Sequence, residues 1–133
     1  MKPVFGDTVY FLALLSPADQ WHAQALSLSL HPPGLLITTE FVLAEVGDGL
    51  SRPENRPQFA RLLALLRNQP DVEIVPASSE LFRQGCDLHA QRHDKEWSLT
   101  DCTSFTVMKQ RGAVQALTSD RHFAQAGFQV LIQ

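Results

Sequence analysis

The stretch WSLTDCTS, residues 97–104, predicts the start of a helix that carries an acidic residue at its N-terminal end. Ser98 has the residue type of an N-cap, and Asp101 follows three residues later, at the capping-box position. Free backbone N–H groups and the positive end of the helix dipole both favour a carboxylate there. Capping alone would account for Asp101, so a further role for it depends on the acidic residues elsewhere in the chain.

Outward from this stretch, apolar strand-like segments alternate with helix-like segments. The predicted strands are residues 3–6, 35–38, 72–75, 114–118 and 129–132. The predicted helices are residues 9–15, 20–31 with Asp19 as the cap, 39–50, 58–68, 78–93, 99–111 and 121–124 with Asp120 as the cap. Strands that alternate with helices favour a parallel sheet covered on both faces. We therefore expect an α/β fold with three layers, α/β/α, around a central, mostly parallel sheet.

The composition is that of an ordinary globular protein. The chain has 133 residues, of which 44% are hydrophobic and 19% charged, so we expect one domain spanning residues 1–133. The apolar run at residues 9–15 is too short to span a bilayer, and Asp7 before it is unlike a signal peptide. These features predict a cytoplasmic protein that does not associate with a membrane. Cys86 and Cys102 lack metal-ligand spacing, which predicts free thiols.

The charge balance excludes a general polyanion binder, because 11 basic residues face 14 acidic ones, for a net charge of −3. A nucleic-acid partner would need a local cluster of cations, or metal ions bound at an acidic site. Arg52, Arg56, Arg61 and Arg67 could form such a cluster, although arginines spread along a loop and a helix more often form a solvated face. The candidate RNA contacts are Arg52, Arg56 and Arg121.

Acidic residues occur where a parallel α/β sheet places its functional crevice, at the carboxyl ends of the strands. Asp7 follows the first predicted strand and Asp120 follows the fourth, while Glu45 and Asp101 lie in helices beside the sheet. Asp7 could also be a turn residue, Asp120 a helix cap and Glu45 a surface residue. Glu45, however, has mainly apolar neighbours and no basic residue one turn away. A carboxylate at such an apolar border is costly unless it is paired or binds a cation.

Four carboxylates brought together would raise one another's pKa values unless a hard cation kept them ionised. Mg²⁺ or Mn²⁺ suits a site built from oxygen ligands, and such an ion commonly shares its coordination with a phosphate. The chemistry that follows is metal-assisted phosphodiester hydrolysis. Thr118 and Ser119 beside Asp120, and Thr8 beside Asp7, are candidates for supporting hydrogen bonds to the acids or to metal-bound waters.

Taken together, four sequence anchors resemble the PIN domain of the VapC-type endoribonuclease toxins from prokaryotic toxin–antitoxin pairs. The resemblance covers nearly the whole chain and depends on the order and spacing of the anchors. These anchors are Gly6-Asp7-Thr8, Thr38-Thr39 leading to Glu45, Ser98-Leu99-Thr100-Asp101, and Leu117-Thr118-Ser119-Asp120 with Phe123 and Gly127-Phe128 behind it.

The resemblance implies RNA cleavage that depends on Mg²⁺ or Mn²⁺, a homodimer, and a cognate antitoxin whose tail reaches the acidic pocket. It also implies that Asp7, Glu45, Asp101 and Asp120 are the catalytic, metal-binding quartet, with Thr118 as a supporting hydroxyl. Asp48 departs from relatives that often have a neutral polar residue at this position. It is either an extra metal ligand or a solvent-facing neighbour of Glu45.

Several other interpretations remain open from the sequence. A degenerate PIN scaffold would bind RNA or protein without cleaving it. A phosphoryl-transferring hydrolase would need a second acid two residues after Asp7, where the chain has Val9, and a receiver domain would need an aspartate after the strand at 72–75. A zinc site at His89 and His93 would lack a third ligand at matching spacing.

Overall fold

The computed structural model describes residues 2–133, which form five strands and seven helices in the predicted order. The strands are β1 (Pro3–Gly6), β2 (Leu35–Thr39), β3 (Glu73–Val75), β4 (Gln115–Leu117) and β5 (Gln129–Val130). The helices are α1 (Thr8–Leu15), α2 (His22–Leu30), α3 (Glu40–Gly49), α4 (Arg56–Asn68), α5 (Ser79–Gln91), α6 (Leu99–Arg111) and α7 (Arg121–Gln125). Among these helices, none combines the length and the apolar character that crossing a bilayer requires.

The sheet has the strand order β3-β2-β1-β4-β5, and all four strand pairs are parallel. The chain runs outward from β1 to β2 and β3, then returns to place β4 on the other side of β1. Because crossover connections are right-handed, this reversal puts helices on both faces of the sheet, which confirms the predicted α/β/α architecture. The reversal also creates a topological switch point between β1 and β4, the place where such sheets bind ligands.

Three helix boundaries differ by about two residues from the predicted ones. Helix α5 ends at Gln91 with Arg92 as its C-cap, so His93 lies beyond the helix. Helix α2 begins at His22 because Asp19 accepts a hydrogen bond from the backbone N–H of Trp21, forming a turn ahead of the helix. Helix α4 begins two residues earlier than predicted, and its proline lies in the first turn, where a missing N–H costs nothing.

An aromatic cluster joins α6 and α7 to the sheet. Phe105 of α6 makes edge-to-face contacts with Trp97 and Phe123, each with ring centroids 4.9 Å apart. Phe123 in turn packs against Phe5 of β1 at 6.2 Å. All four aromatic side chains are buried, so the helix that carries Asp101 is held against the strand that precedes Asp7.

Helices α5 and α6 approach closely at Gly85, which has no side chain to separate them. A Cβ atom placed at residue 85 would lie 2.5 Å from Cγ2 of Thr103, well inside van der Waals contact. Both residues are buried, so neither can move into solvent. The glycine is therefore required by this close approach rather than by the local helix, where alanine is intrinsically favoured.

We expect Gly85→Ala to lower the free energy of unfolding by about 1–3 kcal/mol, the usual cost of overpacking, despite the gain of about 1 kcal/mol in helix propensity. Urea denaturation followed by circular dichroism would measure the change. In a Thr103→Ser background, which removes Cγ2 and keeps the hydroxyl, the same substitution should become neutral or stabilising. An equal loss in both backgrounds would show that the Thr103 contact is not the cause.

Candidate active site

The end of β1 places Asp7 at the switch point. The backbone N–H of Asp7 donates to the carbonyl of Leu117 at 3.2 Å, so the pairing with β4 continues past the end of the strand. On the other side, the Thr38 hydroxyl of β2 donates to the carbonyl of Gly6 at 2.8 Å. Both neighbouring strands therefore hold the backbone beside Asp7, which is only 5% exposed.

The Thr118 hydroxyl links the acidic residues that follow β1 and β4. It donates to Oδ2 of Asp7 at 2.8 Å and accepts from the backbone N–H of Asp120 at 3.0 Å. Thr118 is fully buried, so water does not compete for either bond. One hydroxyl thus fixes the Asp7 carboxylate relative to the loop that carries Asp120.

Asp101 enters the site from the N-terminus of α6, and the predicted capping box is confirmed. The backbone N–H of Asp101 donates to Oγ of Ser98 at 2.9 Å, and the backbone N–H of Ser98 donates to Oδ2 of Asp101 at 3.0 Å. Asp101 is nevertheless buried. The cap therefore uses one carboxylate oxygen and orients the other.

His122 is the site residue that the sequence analysis missed. Its backbone N–H donates to Oδ1 of Asp120 at 2.9 Å, and its ring Nδ1 lies 2.9 Å from Oδ2 of Asp101. Ligand atoms of Asp101, Asp120 and His122 all lie within 4.8 Å of one another, a grouping that could hold a metal ion. The sequence could have indicated the contact of His122 with Asp120, because an N-cap aspartate accepts the backbone N–H two residues later. It could not have indicated the contact of the His122 ring with α6, which depends on the tertiary structure.

Glu45 lies in a different environment from the one predicted. It is exposed on α3, because Val42, Leu43 and Val46 occupy the inward face of the helix, so the expectation of an apolar border was wrong. The Thr8 hydroxyl donates to Oε1 of Glu45 at 2.7 Å, which ties Glu45 to the residue next to Asp7. The Thr8 hydroxyl therefore makes a supporting hydrogen bond to an acid, as predicted, but this acid is Glu45 on α3 and not the adjacent Asp7. Asp48 is also exposed, one turn further along α3.

Asp7, Asp101 and Asp120 are called the acidic cluster below. The other predicted residues lie around it or away from it. Ser119 is half-buried in the loop between Thr118 and Asp120, and Arg121 is exposed at the start of α7, next to His122. Arg52 and Arg56 are exposed before and at the start of α4. Further exposed arginines are Arg61 and Arg67, which lie within α4.

The alternative zinc site gains no support. His89 is on α5 and His93 is beyond its end. Within residues 2–133, the Asp101, Asp120 and His122 group is the one set of three or more ligand side chains close enough to share an ion. Cys86 and Cys102 are free thiols, as predicted.

The electrostatics of the cluster are most evident at Asp7. The pKa of its carboxyl is raised from the ordinary 3.8 to about 7, mainly by burial and to a smaller extent by the nearby charges of Asp101 and Asp120. The hydroxyl of Thr118 and the backbone N–H of Thr8 oppose this rise by stabilising the charged form. A bound cation would oppose it as well, because it favours the ionised carboxylates.

The donor set fits a hard divalent cation. Each of the three aspartates uses one carboxylate oxygen for a protein donor, namely Oδ2 of Asp7, Oδ2 of Asp101 and Oδ1 of Asp120. For Asp101 and Asp120, the side-chain hydrogen bonds among residues 2–133 fall on that one oxygen, which leaves the second oxygen of each for a ligand. Carboxylate oxygens with fixed orientation are what Mg²⁺ and Mn²⁺ prefer.

The acidic cluster at the switch point of this parallel sheet, together with the comparisons that follow, places the protein in the class of metal-dependent nucleases. Residues 4–129 match the family model for the PIN domain, and the chain belongs to this family. The 23S rRNA-specific endonuclease VapC20 of Mycobacterium tuberculosis is 30% identical over 125 residues, covering 94% of this chain and 95% of VapC20.

Solved structures agree with this assignment. The crystal structure of M. tuberculosis VapC20, described as a toxin that cleaves the sarcin–ricin loop, superposes with a TM-score of 0.83 at 29% identity, covering 94% of this chain and 95% of that one. VapBC2 from Rickettsia felis, bound to a promoter DNA fragment, gives a TM-score of 0.66 at 15% identity, with 96% of both chains covered. FitAcB from Neisseria gonorrhoeae gives 0.67 at 20% identity, again with 96% of both covered. The last two support the fold alone.

In the metal-free protein, we expect the contribution of Asp7 to the free energy of unfolding to fall as the pH rises from 3.8 to about 7. The folded state holds the Asp7 proton more tightly than the unfolded chain, so its contribution is complete below 3.8 and lost as the pH passes through about 7. Asp7→Asn should flatten this part of the profile, measured by urea denaturation in a chelator. Identical slopes for wild type and variant would contradict the raised pKa.

We expect Thr118→Val to lower the free energy of unfolding by about 1–3 kcal/mol, because it leaves a buried carboxylate oxygen and a backbone N–H without their partner. Thr118→Ser keeps the hydroxyl and should lose only about 1 kcal/mol from the missing methyl group. Denaturation above the Asp7 pKa of about 7 keeps this carboxyl charged during the measurement. Equal losses for valine and serine would assign the effect to packing instead of the hydroxyl.

Proposed function

We propose that the protein is an endoribonuclease dependent on Mg²⁺ or Mn²⁺, and that it is the toxin of a toxin–antitoxin pair. The observation that carries the proposal is the convergence of Asp7, Asp101 and Asp120 at one switch point, each with one carboxylate oxygen fixed by a protein donor. This arrangement, in a PIN domain similar over nearly its whole length to an RNA endonuclease, supports hydrolysis rather than binding alone.

Within this proposal, Asp7, Asp101 and Asp120 hold the divalent ion, and Glu45 supplies the fourth carboxylate from the rim. When bound, the ion would orient and acidify the attacking water and offset charge on the phosphate. The chain's own part is to keep the carboxylates rigid. Thr118 holds Asp7, the capping box holds Asp101, and the Thr8 hydroxyl directs Glu45 toward the same end of β1.

The proposed substrate is RNA, with ribosomal RNA as the first to test. VapC20 is a 23S rRNA-specific endonuclease, and the chain is similar to it over 94% of its length. With a net charge of −3, the protein cannot rely on overall attraction for a polyanion, so the metal site and local cations must supply it. Arg121, exposed next to His122 in the chain, is the first candidate contact, and Arg52 and Arg56, exposed before and at the start of α4, are the others. An RNA substrate would place the protein in the cytoplasm.

The proposed partners are a cognate antitoxin and a second copy of the chain. VapC20 is a toxin, and the family resemblance implies that such a toxin is paired with an inhibiting antitoxin. A homodimer is expected from the family resemblance. Sedimentation of the purified chain, with and without the product of a neighbouring reading frame, would measure both assemblies.

We expect purified protein to cleave RNA with Mg²⁺ or Mn²⁺ and to lose cleavage when any quartet acid becomes an amide. The four variants are Asp7→Asn, Glu45→Gln, Asp101→Asn and Asp120→Asn. Each aspartate variant should lose more than the roughly 10- to 100-fold typical of a lost outer partner, because each removes a carboxylate proposed to hold the ion. Glu45→Gln should also lose cleavage, because it removes the fourth carboxylate of the proposed site. Gel analysis of end-labelled sarcin–ricin loop RNA and of total RNA would measure the rates.

The matched control is Asp48→Asn, which removes an exposed carboxylate one turn from Glu45. It changes the net charge by the same amount as each of the four quartet variants. It should keep its activity. Full activity in any two quartet variants would overturn the assignment of these residues. Wild-type protein that binds RNA yet cleaves none across a broad panel would favour the degenerate binding scaffold.

A further inference from the structure

We propose that His122 is a positioning residue of the metal site, whose ring aligns Asp101 with Asp120 before the ion binds. This inference rests on the proposed function, since it concerns the same site. The two aspartates lie on separate elements, Asp101 at the start of α6 and Asp120 just before α7. His122 contacts both of them, through two different groups.

The two contacts of His122 respond differently to substitution. Its backbone N–H donates to Oδ1 of Asp120 at 2.9 Å, a bond that any residue except proline at 122 would keep. Its ring Nδ1 lies 2.9 Å from Oδ2 of Asp101, 21 residues away in the chain, and only the side chain makes this contact. Changing the side chain therefore releases Asp101 from α7 while leaving the cap at Asp120 in place.

The ring acts as a hydrogen-bond donor toward Asp101. Oδ2 of Asp101 already accepts the backbone N–H of Ser98, so this oxygen is a hydrogen-bond acceptor. At 2.9 Å the Nδ1 atom must therefore carry the hydrogen, because two acceptors would repel. Nδ1 lies further from Oδ1 of Asp120, at 3.6 Å, so the ring bond is specific to Asp101.

Two donors on one oxygen set the direction of the other. With Oδ2 of Asp101 held from the Ser98 side and from the His122 side, the carboxylate cannot rotate freely, and its Oδ1 keeps one orientation. The capping box by itself supplies only the first of these bonds. A donor from outside the helix is the addition that converts a helix cap into a rigid ligand.

A purely structural role fits the environment of the ring less well. The His122 side chain is 20% exposed, whereas Phe123 beside it is fully buried and packs on Phe5 and Phe105. The anchoring of α7 therefore depends on Phe123. Replacing the His122 ring should leave the fold in place and act on the acidic cluster.

The experiment compares Mn²⁺ binding by wild type, His122→Leu, His122→Asn and His89→Leu, using isothermal titration and the Mn²⁺ electron paramagnetic resonance signal. His122→Leu should bind Mn²⁺ about 10- to 100-fold more weakly, the usual loss for a removed outer partner. His122→Asn should restore most of the affinity, because its side-chain N–H occupies the place of Nδ1. His89→Leu, which removes an exposed histidine on α5, should bind as wild type does. Circular dichroism would confirm that each variant is folded.

The outcomes separate this inference from the proposed function. Equal Mn²⁺ affinity in wild type and folded His122→Leu would overturn the positioning role alone. Nitrogen coupling to Mn²⁺ in wild type that disappears in His122→Leu would make His122 a direct ligand and overturn it too. If His122→Leu does not fold, the test passes to His122→Asn. A folded His122→Asn variant that does not bind Mn²⁺ would then overturn the positioning role. Wild-type protein that binds no Mn²⁺ would overturn the proposed function and this inference together.

Discussion

The parallel pairing of β1 with β4 is the constraint on which the rest of the site depends. Gly6 is paired with Leu117, and the bond from the Asp7 N–H to the Leu117 carbonyl extends this register by one residue. Side chains alternate between the two faces of a strand, so a slip of one residue would turn Asp7 away from Thr118. The pairing also exists only because the chain returns past β1 after forming β3. The sheet's switch point and the location of the acidic cluster are therefore one property of the topology.

The acidic cluster opposes the stability of the fold that creates it. Asp7 is buried with Asp101 and Asp120 nearby, and its pKa of about 7 records the cost of keeping it charged. Thr118, the Ser98 cap and His122 hold the three carboxylates in place by hydrogen bonds to them. Rigid, closely spaced carboxylates repel one another and destabilise the fold in the absence of a cation. A bound cation offsets this repulsion and uses the same rigid arrangement. Such a trade between stability and function is typical of active sites.

The same geometry separates the PIN nuclease from the alternatives that composition leaves open. A site for a phosphoryl-transferring hydrolase would place a second acid at residue 9, yet α1 has Val9 there, directly after the residue that binds Glu45. A zinc site would need His89 and His93 on one helix, and α5 ends between them. In contrast, the four predicted acids lie on elements that all reach the carboxyl end of β1 or its neighbours. The contribution of Glu45 is the most indirect, since it reaches the cluster only through Thr8.

The sequence by itself determined the features that depend on short stretches of chain. These features are the alternation of strands and helices, the Ser98–Asp101 capping box, and the positions of Asp7 and Asp120 just after strands. Only the tertiary structure decided the strand order, the exposure of Glu45 and the contact of His122 with Asp101. The physical reason is separation along the chain. Caps and periodicity join residues within a few positions, whereas the Thr118 bond to Asp7 spans 111 residues and the His122 contact spans 21, and neither leaves a local pattern to read.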